Sequence, residues 1–164
     1  MTAMPEIIVI AHNIRSTHNI GAIFRTSEGF GVSNIIISGY SPYPSVPNDT
    51  RLPHIGEKLT LQIHKTALGA EAMIPFEHQD TPDFASLKDQ GFTIVGLEQD
   101  NRSIQLNKYT CPSKVALLLG EEVKGITDDS RNQCDDLIEI PMVGQKESFN
   151  VSVAAGIALY ALTI

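Results

Sequence analysis

The apolar positions of this chain fall into short runs divided by polar, glycine-rich stretches, and strand-like and helix-like spacing alternate along it. Glu6–Ala11 is a β-branched apolar run and reads as a strand. From Asn19 to Phe30, Ile20, Ile23 and Phe24 take helical spacing, and Gly31 follows as a C-terminal stop. Asn34–Ser38 is a second strand. Residues 39–60 break the rhythm. Pro42, Pro44, Pro47 and Pro53, with Gly39 and Gly56, predict irregular structure over most of that length. A loop this long in a compact domain is usually functional or mobile.

The alternation then resumes. Lys65–Ala72 reads as a short helix, Met73–Phe76 as a strand, and Asp83–Gln90 as a helix stopped by Gly91. Phe92–Leu97 is a strand, and Val115–Leu119 is wholly apolar, as a strand buried on both faces should be. Thr127–Cys134 is a polar helix with a Thr or Asp cap. Leu137–Ile140 is the last strand and Val151–Ile164 the last helix. Such alternation predicts an α/β fold with a mostly parallel sheet flanked by helices. No repeat, low-complexity tract or linker interrupts it, so residues 1–164 are expected to form one domain.

Composition narrows the class. The chain is 42% hydrophobic and 19% charged over 164 residues, which suits a globular domain with a sizeable core and not a disordered chain. No basic, apolar and small-residue leader pattern occurs, and no apolar run reaches the ~20 residues of a membrane span. Cys111 and Cys134 form neither a C-x-x-C pair nor a disulfide framework. A reducing, cytoplasmic setting without membrane attachment is therefore expected. His12, His18 and His54 lack ligand-like spacing, so no metal is expected.

The net charge of −7 has the wrong sign for a protein that binds a polyanion through bulk attraction. Its distribution is uneven. Arg15, Arg25, Arg51, Lys58 and Lys65 face only Glu6, Glu28, Asp49 and Glu57 in residues 1–70, leaving that part at +1 and the remainder at −8. This is either surface scatter or a locally basic face on an acidic protein. The second reading implies weak, salt-sensitive nucleic-acid binding.

The densest specification lies in IPMVGQKESFNVSVAAGIALY, from Ile140 to Tyr160. A β-loop-α unit needs only a turn and a cap, and Asn is a good cap. It does not need Pro141, Met142, Gly144, Ser148 and Asn150 in that order. Two upstream segments accompany it: Asn13 to Thr26, with Arg15, Asn19, Gly21 and Arg25, and Leu117 to Ile126, with Gly120, Glu122 and Gly125. The latter is no P-loop, because no Lys-Ser/Thr follows its second glycine. What remains is a glycine turn at the carboxyl end of a strand, where open α/β sheets bind ligands.

In order and spacing the three segments resemble the motifs of the SpoU (TrmH-like) RNA methyltransferases, a branch of the SPOUT superfamily. The resemblance covers essentially the whole chain. It implies methyl transfer from S-adenosylmethionine to a ribose 2′-hydroxyl of tRNA or rRNA, with no metal. It further implies a C-terminal segment threaded into a deep trefoil knot, a rare exception among folds, and a homodimer packed through the knot-side helices. The absence of a separate RNA-binding domain would leave RNA recognition to the core and the proline-rich loop. The alternative is a protein of the same fold that binds RNA or S-adenosylmethionine without transferring methyl.

By this resemblance, Asn19, Arg25, Glu122, Ser148 and Asn150 form the catalytic set, and Arg15 and Arg25 contact RNA. Backbone near Leu97, Gly120, Ile140, Met142 and Phe149 encloses the cofactor. Phe149 stands where the family usually has Leu. Each residue also has a plainer reading. Asn19, or the Ser148/Asn150 pair, could only cap a helix. Arg25 could be an exposed arginine, and Glu122 could pair with Lys124 or cap the following helix. Guanidinium is a poor base, so an activating Arg25 would have to lower the hydroxyl's pKa electrostatically or be primed by a phosphate.

Overall fold

The computed structural model describes residues 3–164. Seven strands form one sheet: β1 (Glu6–His12), β2 (Asn34–Ser38), β3 (Phe76–Gln79), β4 (Thr93–Leu97), β5 (Ile104–Gln105), β6 (Lys114–Leu119) and β7 (Asp136–Glu139). Five α-helices accompany them: α1 (Thr17–Gly29), α2 (Pro53–Ala67), α3 (Phe84–Asp89), α4 (Asp128–Gln133) and α5 (Val151–Thr163). The strand order is β3-β2-β1-β6-β4-β7-β5. Every pairing is parallel.

Strand alternation sorts the core into two layers. Ile7, Val9, Ala11, Val115, Leu117 and Leu119 face one side, with Ile20, Ile23 and Phe24 of α1 and Ala155, Ala158, Leu159 and Leu162 of α5. Ile8, Ile10, Ala116 and Leu118 face the other, with Phe84 and Leu87 of α3 and Ile126. β1 and β6 pair from Glu6↔Lys114 to Ala11↔Leu119 and so sit at the centre, buried on both faces. All strands point one way, so the segments that leave β4, β6 and β7 emerge along a single edge of the sheet.

Irregular structure over most of residues 39–60 holds for 39–52, and the remainder is helical because α2 begins at Pro53. That proline stands in the first helical turn, where its missing N–H costs no hydrogen bond. The helix expected over Lys65–Ala72 is the end of α2 followed by a 3₁₀ turn at Ala70–Ala72, and the strand expected at Met73–Phe76 is displaced to Phe76–Gln79. The two-residue β5 has no period to read. It is a strand only because Ile104 and Gln105 pair with Ile138 and Glu139.

The stretch before α2 is ordered by one side chain. Arg51 donates to Asp49 through Nε (2.9 Å) and Nη2 (2.6 Å), to the Tyr43 carbonyl through Nη1 (2.8 Å) and to the Pro44 carbonyl through Nη2 (3.0 Å). These are charge-assisted bonds in bidentate geometry, the stronger kind. They hold the Asp49 carboxyl well below the usual carboxylate range, chiefly through its hydrogen bonds with Arg51.

Gly21 has a packing role that the motif alone does not reveal. A Cβ there would lie 2.0 Å from Thr66 Oγ1 and 2.3 Å from the Ile63 carbonyl oxygen of α2. Gly21→Ala should therefore push the two helices apart at a fully buried contact, lowering unfolding free energy by ~1–3 kcal/mol or more. Urea denaturation measures it, and a variant as stable as wild type would show that α1 and α2 shift at no cost.

Candidate functional site

A cleft of about 320 Å³ opens where the segments after β4, β6 and β7 meet. Leu97, Leu119, Ile140 and Phe149 supply apolar wall, and Gly120 sits between them and the turn that follows β6. The turn is tight. The Gly125 amide donates to the Glu121 carbonyl at 2.9 Å, and Gly125 takes a left-handed φ of 69°. A Cβ on Gly120 would lie 2.6 Å from both the Gly125 carbonyl carbon and the Ile126 nitrogen. Both atoms are backbone and cannot swing aside, so glycine is required here.

Glu98 braces the turn from β4, and sequence reasoning missed it. Its Oε2 accepts from the Ile126 amide at 2.7 Å, and a Cβ on Gly125 would come within 2.0 Å of the same oxygen. The available signal was a lone carboxylate directly after the strand that ends at Leu97.

Glu122 is the hub of a network that joins three distant parts of the chain. Its Oε1 accepts from Asn19 Nδ2 at 3.1 Å and from the Ser16 amide at 3.4 Å, and its Oε2 accepts from the Arg15 amide at 3.4 Å. Asn19 Oδ1 in turn accepts from Asn150 Nδ2 at 3.3 Å. Burial pushes the Glu122 carboxyl up. Hydrogen bonds from its own backbone, the Asn19 side chain and the Arg15 and Ser16 amides outweigh that and hold it below its ordinary range. No ion pair with Lys124 forms.

Asn19 is not the helix cap. Ser16 caps α1, its Oγ accepting from the Asn19 amide at 3.1 Å, which frees the Asn19 side chain for Glu122 and Asn150. Asn150 does both jobs at once. Its Oδ1 caps α5, accepting from the Ser152 amide (2.9 Å), the Val153 amide (3.4 Å) and Ser152 Oγ (2.6 Å), while its Nδ2 reaches Asn19. Ser148 and Phe149 line the cleft. Met142 lies beside it, its sulfur accepting from Gln99 Nε2 at 3.2 Å.

Arg25 is elsewhere. It is exposed on α1 and borders a surface groove with Thr26, Gly29, Lys65 and Thr66, away from the cleft residues of its own chain. Arg15 is nearer, since its backbone bonds Glu122 while its guanidinium lies 5.4 Å from the Tyr40 ring centroid. Among the described residues, no group of three or more His, Cys, Asp or Glu side chains is placed to hold a metal ion. Nor is any helix long and apolar enough to cross a membrane.

Asn19→Asp would replace a donor to Glu122 with a second carboxylate. Glu122 is depressed in the folded state, so its network contributes fully above the ordinary glutamate value of 4.5, and the contribution is lost as pH falls below that value through the lower folded one. The variant should be less stable than wild type by ~1–3 kcal/mol at pH 7, and the gap should narrow as pH falls below the ordinary glutamate value of 4.5. Denaturant titrations above and below that value check this, and a gap that widens in acid would refute the network.

The SpoU rRNA Methylase family profile matches residues 6–160, and the chain belongs to that family. Its curated relatives include the 23S rRNA (guanosine-2′-O-)-methyltransferase RlmB of Nitrosomonas europaea, 33% identical over 158 residues, covering 95% of this chain and 55% of the relative. The RlmB of Acinetobacter baylyi is 31% identical, covering 94% and 58%. The chain thus spans little more than half the length of these relatives. Among solved structures, the A. aeolicus TrmH/SpoU tRNA modifying enzyme superposes with a TM-score of 0.78 at 27% identity, covering 96% of this chain and 73% of that one. The AdoMet-bound rRNA methyltransferase from Sinorhizobium meliloti has the same fold, with a TM-score of 0.77 at 24% identity over 98% and 56% of the two chains.

Proposed function

We propose that this chain transfers a methyl group from S-adenosylmethionine to a ribose 2′-hydroxyl of rRNA or tRNA. The observation that carries the proposal is the cleft at the strand ends, beside which the Asn150–Asn19–Glu122 hydrogen bonds tie the turn after β6 and the start of α5 to α1. The relatives named for guanosine-2′-O-methylation support the reaction class.

The residues present fit the cofactor. Gly120 allows close backbone approach, and Leu97, Ile140 and Phe149 offer apolar surface to an adenosine. Glu98, Glu121, Glu122, Glu139 and Glu147 line the same cleft against one cation, Lys124, a field that favours a positively charged ligand. When bound, S-adenosylmethionine supplies an electrophilic methyl on a sulfonium whose charge disappears in the transfer. The chain's task is then alignment and exclusion of water. Glu122 fixes Arg15–Ser16 and Asn19 against the mouth of the cleft, Asn150 sets the start of α5, and Ser148 is free to hydrogen-bond the ribose.

The position of Arg25 supports a homodimer. Ala22 and Thr26 of α1, Phe30 just after it, and Val153, Gly156, Ile157 and Tyr160 of α5 form one shallow apolar face, with Val153 51% and Tyr160 57% exposed. Leu159 and Leu162 of the same helix are buried in the chain's own core. Arg25 stands at the edge of the exposed face, where pairing with a second copy would carry it toward the partner's cleft. There its charge lowers the hydroxyl's pKa. We also read residues 140–150 as the threaded segment of a trefoil knot. The support is that β7 lies between β4 and β5 while α5 returns to pack on α1.

The test is transfer of radiolabelled methyl to total RNA, followed by mapping of alkali-resistant ribose linkages. Label in 2′-O-methylnucleosides is expected. Donor and RNA binding with no transfer would leave a binding protein, and label on a base would overturn the ribose assignment.

A further inference from the structure

A second groove, of about 630 Å³, runs between the start of α1 and the segment pinned by Arg51. Arg15–Thr17 form one side, Tyr40–Tyr43 another, and Leu59 and Gln62 of α2 a third. Two tyrosines stand in it, and their states differ. The Arg51 guanidinium carbon lies 3.6 Å from the Tyr43 ring centroid, and the His78 ring stacks at 4.1 Å and 16°. Two groups so close to one centroid must take opposite faces, so Tyr43 has no face left. Arg51 is also largely engaged, since four of its five N–H donors serve Asp49 and two carbonyls.

Tyr40 is the opposite case. It is 49% exposed, and among the described residues its ring meets no other aromatic ring and one cation, the Arg15 guanidinium at 5.4 Å. Its backbone is held firmly. The Tyr40 amide donates to Asn13 Oδ1 at 3.2 Å, and both Asn13 (φ 55°) and Gly39 (φ 64°) take left-handed conformations beside it. A Cβ on Gly39 would fall 1.8 Å from that same Asn13 oxygen, so any other residue here would strain the backbone and break this contact. Arg15 has no carboxylate partner for its guanidinium among the described residues, although its amide bonds Glu122. An exposed ring on a fixed backbone, beside an unpaired arginine, is the chemistry that receives an unstacked nucleobase and its phosphate.

The location makes the ligand specific. Arg15 and Ser16 border this groove and also donate to Glu122 of the cleft, so groove and cleft share one segment. We infer that Tyr40 and Arg15 form a stacking slot for one unpaired nucleobase of the RNA, adjacent to the nucleotide whose ribose enters the cleft. Tyr43, Arg51 and His78 are the rigid wall behind it. The inference rests on the methyl-transfer reading above.

The chain has no tryptophan, so Tyr40→Trp installs a single indole reporter. Titration with single-stranded hexaadenylate should quench its fluorescence, while inorganic polyphosphate of similar charge should not. Tyr40→Phe should bind RNA as wild type does. Tyr40→Ala should bind about 5- to 150-fold more weakly, the range for loss of one base stack, with S-adenosylmethionine affinity unchanged in calorimetry. If Tyr40→Ala binds and methylates RNA like wild type and the indole is not quenched, the slot is overturned and the methyl-transfer reading stands. If the wild-type protein binds no RNA, both fall.

Discussion

Mixing Arg25→Ala protein with Gly120→Val protein, each inactive alone, is expected to restore about one quarter of wild-type methyl transfer, as random pairing of a two-fold dimer gives. Half of the dimers would then be mixed. In each mixed dimer one site joins an intact cleft from the Arg25→Ala chain to an intact Arg25 from the other. The reason lies in placement. Arg25 is exposed at the rim of the α1/α5 face, outside the cleft of its own chain. Arg25→Ala should leave S-adenosylmethionine affinity nearly unchanged, because a group that acts on the attacking hydroxyl affects the transition state more than cofactor binding. Arg25→Lys should be almost as inactive, since lysine keeps the charge and loses the planar fork. No recovery on mixing, with dimers shown by sedimentation, would place Arg25 in its own chain's site. Monomers at micromolar concentration would remove the two-chain site altogether.

Loss of cofactor binding is the expected result at Gly120. Even alanine there puts a carbon 2.6 Å from two backbone atoms of Gly125 and Ile126. The turn cannot yield locally, because Gly125 is already left-handed, its amide is bonded to Glu121, and Glu98 fills the space beside it. Something must open, and the least anchored edge is the side facing the cleft. Gly120→Ala should lose S-adenosylhomocysteine binding by at least tenfold and lose ~1–3 kcal/mol of stability, the usual cost of overpacking. Gly120→Val should bind none at millimolar ligand. Calorimetry alongside thermal melts separates the two effects. A folded Gly120→Val variant that binds the ligand normally would show that the cleft is not the cofactor site.

What could be read from the chain alone was whatever depends on local spacing. β1, β6 and α5 declare themselves through period and apolar content, because a strand buried on both faces admits no polar residue and a core-facing helix must repeat every 3.6 residues. The three motifs were visible for a related reason: their glycines and asparagines are more specified than turns and caps require. Tertiary structure decided the rest. Pro53 reads as a breaker until its place in the first turn of α2 is known. Asn19 reads as a cap until Ser16 is seen to take that role. Glu98 shows locally only as a lone carboxylate after a strand, because its partner lies 28 residues away in the turn after β6. Asn150, Asn19 and Glu122 meet across separations of 131 and 103 residues, through a sheet order that no local window encodes. Hydrophobic period is a property of neighbours in sequence, whereas a site is made by neighbours in space, and only the path of the chain between strands brings those together.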